Sequence, residues 1–206
     1  MGGTIPNPSD RRVQRTRRML REALVSLLVE HDWDTISVQD VCDRADVGRS
    51  TFYMHFADKE ELVRAGFEDL RGMIRAGLAS SPAPPEPFGF ARGIIEHAGE
   101  NRALFRALVG RRSGQVVLGL FRDMIVDLVR EGLAATRAPG PGLEPAVHFL
   151  AGAFLSLLTW WLDAGGPIAP DDVERLFLQM ATPALEAVAR TERPRAARHD
   201  ARHGPR

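Results

Sequence analysis

Apolar residues recur at three- and four-residue spacing along most of the chain, and no stretch alternates with the period of two that a strand requires. Val13, Leu20, Ala23, Leu24, Leu27 and Leu28 fall on one face of a first helix, about Asp10 to His31, which His31-Asp32-Trp33-Asp34 ends. Ser37, with Asp40 three residues on, predicts a capping box that opens a short helix to Ala45. Asp46-Val47-Gly48 predicts a turn, and a second short helix follows from Arg49 to about His55. Asp58-x-x-Glu61 caps a longer helix, Lys59 to about Leu78, with Leu62, Phe67, Leu70 and Ile74 as its inward positions.

The run Ser80–Pro87 holds four prolines in eight residues and cannot be helical. Beyond it the pattern predicts helices at about Phe88–Gly99 and Asn101–Val109, then a wide apolar stripe from Val116 to Val129 that marks a central helix. After Ala-Pro-Gly-Pro-Gly at 138–142, two further helices are expected at Leu143–Trp161 and Asp171–Ala189. From Thr191 on, Arg, Pro, His and Gly dominate, which predicts a disordered basic tail at 191–206. The expected fold is all-α, with about nine helices.

Charge changes this picture through its distribution. The 27 basic and 27 acidic residues cancel. Arg11 to Arg21, however, carries six Arg and no acid, and the tail carries five Arg, whereas Glu22–Arg190 holds 16 bases against 24 acids. Positive charge is confined to the two ends, and the body is acidic. Cys42 is the only cysteine, so no intrachain disulfide forms and a reducing, cytoplasmic setting is expected. No secretory leader is read, and the longest apolar run, Phe149–Leu162, is shorter than the roughly 20 residues a bilayer span needs, so no membrane partner is expected.

Within Ile36–Lys59 the elements have the order of a helix-turn-helix: two short helices, an abrupt turn, and a second helix that opens on polar residues. Val38, Val41, Cys42 and Ala45 can face inward, Val47 plugs the turn, and Phe52 and Phe56 anchor the second helix. Arg49, Ser50, Thr51, Tyr53, Met54 and His55 are left partly outward, with Met54 open between packing and contact. Ala45-Asp46-Val47, then Thr51-Phe52-Tyr53-Met54-His55-Phe56, then Lys59, resembles the DNA-binding domain of TetR/AcrR-family transcriptional regulators over roughly residues 13–63. The resemblance implies that Arg49, Ser50 and Thr51 meet base edges or nearby phosphates. It implies that Tyr53, His55, Lys59 and Ser37 grip phosphates. Two positions depart from the pattern. Asp46 stands where the family's turn glycine stands, and Gly48 replaces the Ser or Thr cap of the recognition helix.

The same resemblance implies a division into a DNA-binding domain at 9–58 and a helical regulatory and dimerisation domain at 59–190. Val147, Leu150, Ala151, Phe154, Leu155 and Leu158 stripe one late helix, and Val173, Leu176, Phe177 and Met180 stripe the other. These stripes are the expected interface of a homodimer. A small-molecule effector would lie among His97, Arg102, Phe105, Met124, His148 and Trp160, where apolar walls meet a few polar groups. No metal or cofactor is expected, since His97 and His148 have no carboxylate or thiol at ligand spacing. No G-x-S-x-G, G-x-x-x-x-G-K-[ST], H-E-x-x-H or G-x-G-x-x-G motif occurs, which argues against an enzyme. A dimeric, ligand-released repressor on a palindromic duplex is the reading these features carry. An activator or co-regulator of the same type is its nearest alternative, and a helical scaffold without DNA, or an enzyme without a recognisable motif, is a more distant one.

Overall fold

The computed structural model describes residues 8–192 except 83, 111–113, 137–139 and 165–167. Among the described residues there are nine α-helices and no strand. They are α1 (Pro8–Glu30), α2 (Val38–Ala45), α3 (Arg49–Tyr53), α4 (Lys59–Ser80), α5 (Phe90–Glu100), α6 (Arg102–Val109), α7 (Gly114–Thr136), α8 (Leu143–Asp163) and α9 (Pro170–Glu192). A short 3-10 turn at Trp33–Thr35 joins α1 to α2. The tail expected to be disordered lies, beyond Glu192, outside the described residues.

The N-terminal elements end and begin where local chemistry dictates. The Ser37 N–H donates to Asp40 Oδ2 at 2.8 Å and the Asp40 N–H donates to Ser37 Oγ at 3.2 Å, so two of the orphan amides at the start of α2 are satisfied reciprocally. Asp46 closes α2 in the left-handed region, at φ 52°. Among non-glycine residues Asp and Asn tolerate that conformation best, because their short polar side chains bond locally. Asp58 caps α4 by accepting the Glu61 N–H at 2.7 Å. Helix α3 is shorter than its sequence pattern suggests, with Met54 and His55 in the turn that follows it.

A continuous apolar core runs from Leu20 on α1 to Leu185 on α9. Helix α7 is its centre, burying Val117, Phe121, Ile125 and Val129 against α4 and α8. Phe67 and Phe105 both meet the Phe121 ring at 5.7 Å, joining α4, α6 and α7. Phe90, Phe154 and Phe177 form a second aromatic knot of edge-on pairs between α5, α8 and α9. Outside the core, Arg71 on α4 holds Asp127 and Glu131 on α7, and Arg75 holds Glu131 as well. These guanidinium groups hold the Glu131 carboxyl below the usual carboxylate range.

Two expectations about which side chains face inward or outward fail in informative ways. Val13 is exposed rather than buried, because the first turns of α1 project beyond the body they would have packed on. The stripe assigned to a dimer interface is mostly interior: Val147, Leu150, Ala151, Phe154, Leu158, Val173 and Phe177 are buried within one chain, and Leu155 is half-buried. Only Leu176 and Met180 of that set face outward. The outward strip of α8 is instead Phe149, Gly152, Ala153, Ser156 and Trp160, with Phe149 64% exposed. Helix α8 is thus apolar on both sides. By length and hydropathy alone it could cross a membrane, but its Leu150–Leu158 side is occupied by α7 and α9.

Candidate nucleic-acid interface

Helix α3 is anchored from below and open above. Phe52 is fully buried, and Phe56, just past the helix, packs 6.0 Å from it. That anchoring presents the opposite side to solvent. Arg49 and Ser50 are exposed on the first turn, and Thr51 is half-buried beside them. Tyr53 is about half exposed and braced edge-on against Phe52 at 5.4 Å. Arg49 donates to the Tyr53 hydroxyl at 3.2 Å, so guanidinium and phenol form one rigid polar edge along the helix. Met54, 74% exposed, extends that edge. His55 is half-buried with its ring tilted against Phe56 at 6.5 Å.

Three candidate contacts are placed differently from the rest. Lys59 was expected to grip phosphate, but its ammonium is half-buried and turned inward. It donates to the Trp33 carbonyl at 2.8 Å and the Ile36 carbonyl at 2.7 Å, and it lies 4.2 Å from the Trp33 ring centroid. Two of its three N–H donors are consumed inside the protein, and burial pulls its pKa below the ordinary lysine value. Ser37 is exposed, yet its hydroxyl is committed to Asp40 Oδ2 at 2.7 Å and to the capping box. Those same bonds lower the Asp40 carboxyl. The third is the arginine run of α1. Arg11, Arg12, Arg15 and Arg18 are exposed, but Arg17 lies 4.7 Å over the Phe56 ring, and Arg21 pairs with Asp69 on α4. Arg17 therefore ties the basic helix to the end of α3, bringing the two charged parts of the surface together.

Sequence reasoning treated Trp33 as punctuation at the end of a helix. It is a hub: buried, stacked under Lys59, and touching the start of α7, where a Cβ on Gly114 (φ 66°) would come within 3.0 Å of its ring. The fork between Arg44 and Glu30, at 2.9 and 2.7 Å, was also missed; it locks α2 onto α1. A lone Trp in a polar linker is the one sequence signal that could have found the first, since an indole among Asp residues is rarely left in water.

The six candidate effector residues do not converge. Arg102 donates to the Trp161 and Leu162 carbonyls at 2.6 and 3.0 Å, satisfying the C-terminal end of α8. Met124 is buried core, and His148 and Trp160 lie on the outer side of α8. His97 and Phe105 share a recess, with ring centroids 5.6 Å apart.

A capped short helix, a left-handed turn and a second helix anchored by aromatics define a helix-turn-helix protein. Residues 20–65 match the family described as bacterial regulatory proteins, tetR family. Over this helix-turn-helix segment the chain is similar to that family. It is 30% identical over 176 residues to an uncharacterized HTH-type transcriptional regulator, YxbF, of Bacillus subtilis, an overlap that covers 82% of this chain and 45% of that one. It is 29% identical over 113 residues to the HTH-type transcriptional regulator TcmR of Streptomyces glaucescens, covering 54% of this chain and 45% of TcmR. The matches thus span about half the length of these curated relatives. Among solved structures, a TetR transcriptional regulator from Streptococcus agalactiae superposes with a TM-score of 0.63 at 29% identity, over 84% of this chain and 97% of that one. Lin0861 from Listeria innocua gives a TM-score of 0.67 at 20% identity, covering 88% and 96%, and shares the fold.

Proposed function

We propose that the chain is a cytoplasmic transcriptional repressor that binds a palindromic duplex as a homodimer and is released by a small molecule. Residues 9–58 read the DNA, and the helices from 59 to 190 set the spacing of the two copies. The observation that carries this reading is the solvent-facing edge of α3, on which Arg49, Ser50, Tyr53 and Met54 project from an aromatic anchor. Arg49 is the side chain suited to bidentate contact with guanine, and Ser50, Thr51, Tyr53 and His55 supply the polar groups around it. The exposed Arg11, Arg12, Arg15 and Arg18 add phosphate contacts beside the groove. Pairing occurs through the outward strip of α8 and α9, where Gly152 and Ala153 admit a close helix approach between Phe149 and Trp160. A two-fold pair places its recognition helices about 34–36 Å apart, the repeat of successive major grooves.

Fluorescence anisotropy with the chain's own upstream DNA against random duplex, at several salt concentrations, tests this. Specific binding whose log affinity falls linearly with log salt supports the reading, and equal affinity for both duplexes defeats it. Deleting the gene then raises target expression for a repressor and lowers it for an activator.

A further inference from the structure

Between α1, α4, α5 and α6 lies a recess of about 200 Å³, walled by Leu28, Leu62, Phe67 and Phe105. Its walls come from both parts of the molecule: α1 and the first turns of α4 carry the DNA-reading elements, and α5 and α6 belong to the body. The recess is open where a side chain could have filled it. Gly66 lines it, and a Cβ there meets nothing within 4 Å. Polar groups are few. Arg21 and Asp69 neutralise each other at its edge. His97 is the one further polar side chain on its lining. The Asn101 amide approaches His97 Nδ1 at 3.4 Å; donation there leaves the imidazole proton on Nε2, a donor. Burial lowers the His97 pKa, which favours the neutral ring.

These features select an occupant. An apolar cavity of about 150 Å³ stays dry and takes up benzene, so this volume holds one ring with a small substituent. The paired Arg21 and Asp69 offer no free charge to an ionic ligand. The imidazole offers one hydrogen bond. We propose that this recess is an effector site for a neutral, single-ring apolar molecule bearing one hydrogen-bond acceptor. The proposal rests on the reading of the chain as a ligand-responsive regulator and gives that reading a location. Because the ligand is held between α1–α4 and α5–α6, it binds most tightly to one spacing of these helices and shifts the DNA-reading elements toward it.

Acetophenone is the probe, with ethylbenzene as its counterpart lacking the acceptor and benzoate as its charged counterpart. Binding to the full chain is measured by calorimetry without DNA, and DNA affinity by anisotropy with and without probe. The expected result is saturable binding of acetophenone, at least fivefold weaker binding of ethylbenzene, and none of benzoate. Gly66→Leu fills the recess and abolishes binding. Val25→Trp blocks it from the exposed rim, without touching the core, should the first variant fold poorly. His97→Phe removes the preference for acetophenone over ethylbenzene. Saturating acetophenone changes wild-type DNA affinity and leaves that of the blocked variant unchanged. Failure of all three probes to bind a chain that still recognises its DNA overturns the site and spares the regulator. Binding that survives both obstructions overturns the location, and binding without any effect on DNA affinity overturns the effector role.

Discussion

Lys59 holds Trp33 in two ways: its ammonium lies 4.2 Å from the indole centroid, and it donates to the Trp33 carbonyl at 2.8 Å. With its bond to Ile36, it fastens the start of α4 to the linker before α2. Lys59→Met keeps the stem and loses the charge. We expect it to cost about 2–4 kcal/mol of stability, from charged hydrogen bonds and the cation–π contact. Chemical denaturation measures the loss. A phosphate-gripping lysine would instead reduce the salt slope of DNA binding by about one; here that slope should stay nearly constant.

Arg49 is exposed and pairs with Tyr53 on its own short helix, so its removal should leave the fold alone. Arg49→Ala should leave the melting temperature within a degree or two. It should narrow the gap between cognate and mismatched duplex by about 1–3 kcal/mol, read from competition binding. An unchanged gap would take Arg49 out of the base-reading set.

Asp46 occupies the left-handed region that glycine adopts freely. Asp46→Gly should be neutral or stabilising by up to about 1 kcal/mol, whereas Asp46→Val should lose at least that much, since a β-branched residue is strained there. Paired thermal melts decide it. A harmless Val would mean that the turn relaxes to another conformation.

On the outer strip of α8 and α9, Phe149 and Met180 are 64% and 59% exposed in one chain. Phe149→Glu should therefore spare the folding of the single chain and shift sedimentation from dimer to monomer, with loss of tight operator binding. The neighbouring Leu150→Ala should do the reverse, destabilising by about 2–5 kcal/mol without a specific effect on assembly. A variant F149E that stays dimeric would move the interface elsewhere.

Glu131 is held below its ordinary pKa, first by Arg75 and then by Arg71. A depressed carboxylate contributes stability that is present above the unfolded pKa, about 4.3, and is lost as pH falls through the lower folded value. Glu131→Gln should lower the melting temperature at pH 7, with the gap to wild type closing as the pH drops below about 4. A gap that holds constant with pH would mean that the side chain acts through packing alone.

The helix-turn-helix was legible because its signals are local. A cap needs Ser37 and Asp40 at one spacing, and the anchor needs Phe52 and Phe56 four apart. The roles of Lys59 and Trp33 were not legible, because the partner of each is 26 residues away and no short-range pattern records it. Helix α8 failed for another reason. Val147, Leu150, Ala151 and Phe154 form a stripe, but Phe149, Gly152, Ala153 and Trp160 are apolar too, and periodicity cannot say which of two apolar sides meets the chain's own core. The effector residues were legible in type but not in place. Arg102 and His148 suit a ligand chemically, and only packing shows one capping a helix and the other on the outer surface.

Helix α1 has one end against the recess and the other among the exposed arginines. From Arg21 to Arg11 it rises about 15 Å. With Leu24 and Leu28 as the fulcrum, about 20–25 Å from Arg11 at about 1.5 Å per residue, a tilt of about 10° there carries the Arg11 end about 3–4 Å sideways. A hydrogen bond to a phosphate fails over about 1 Å of added length. In the proposed effector mechanism, a single ring near the fulcrum would have the mechanical advantage: a small motion in the core would be geared up into a misfit at the DNA.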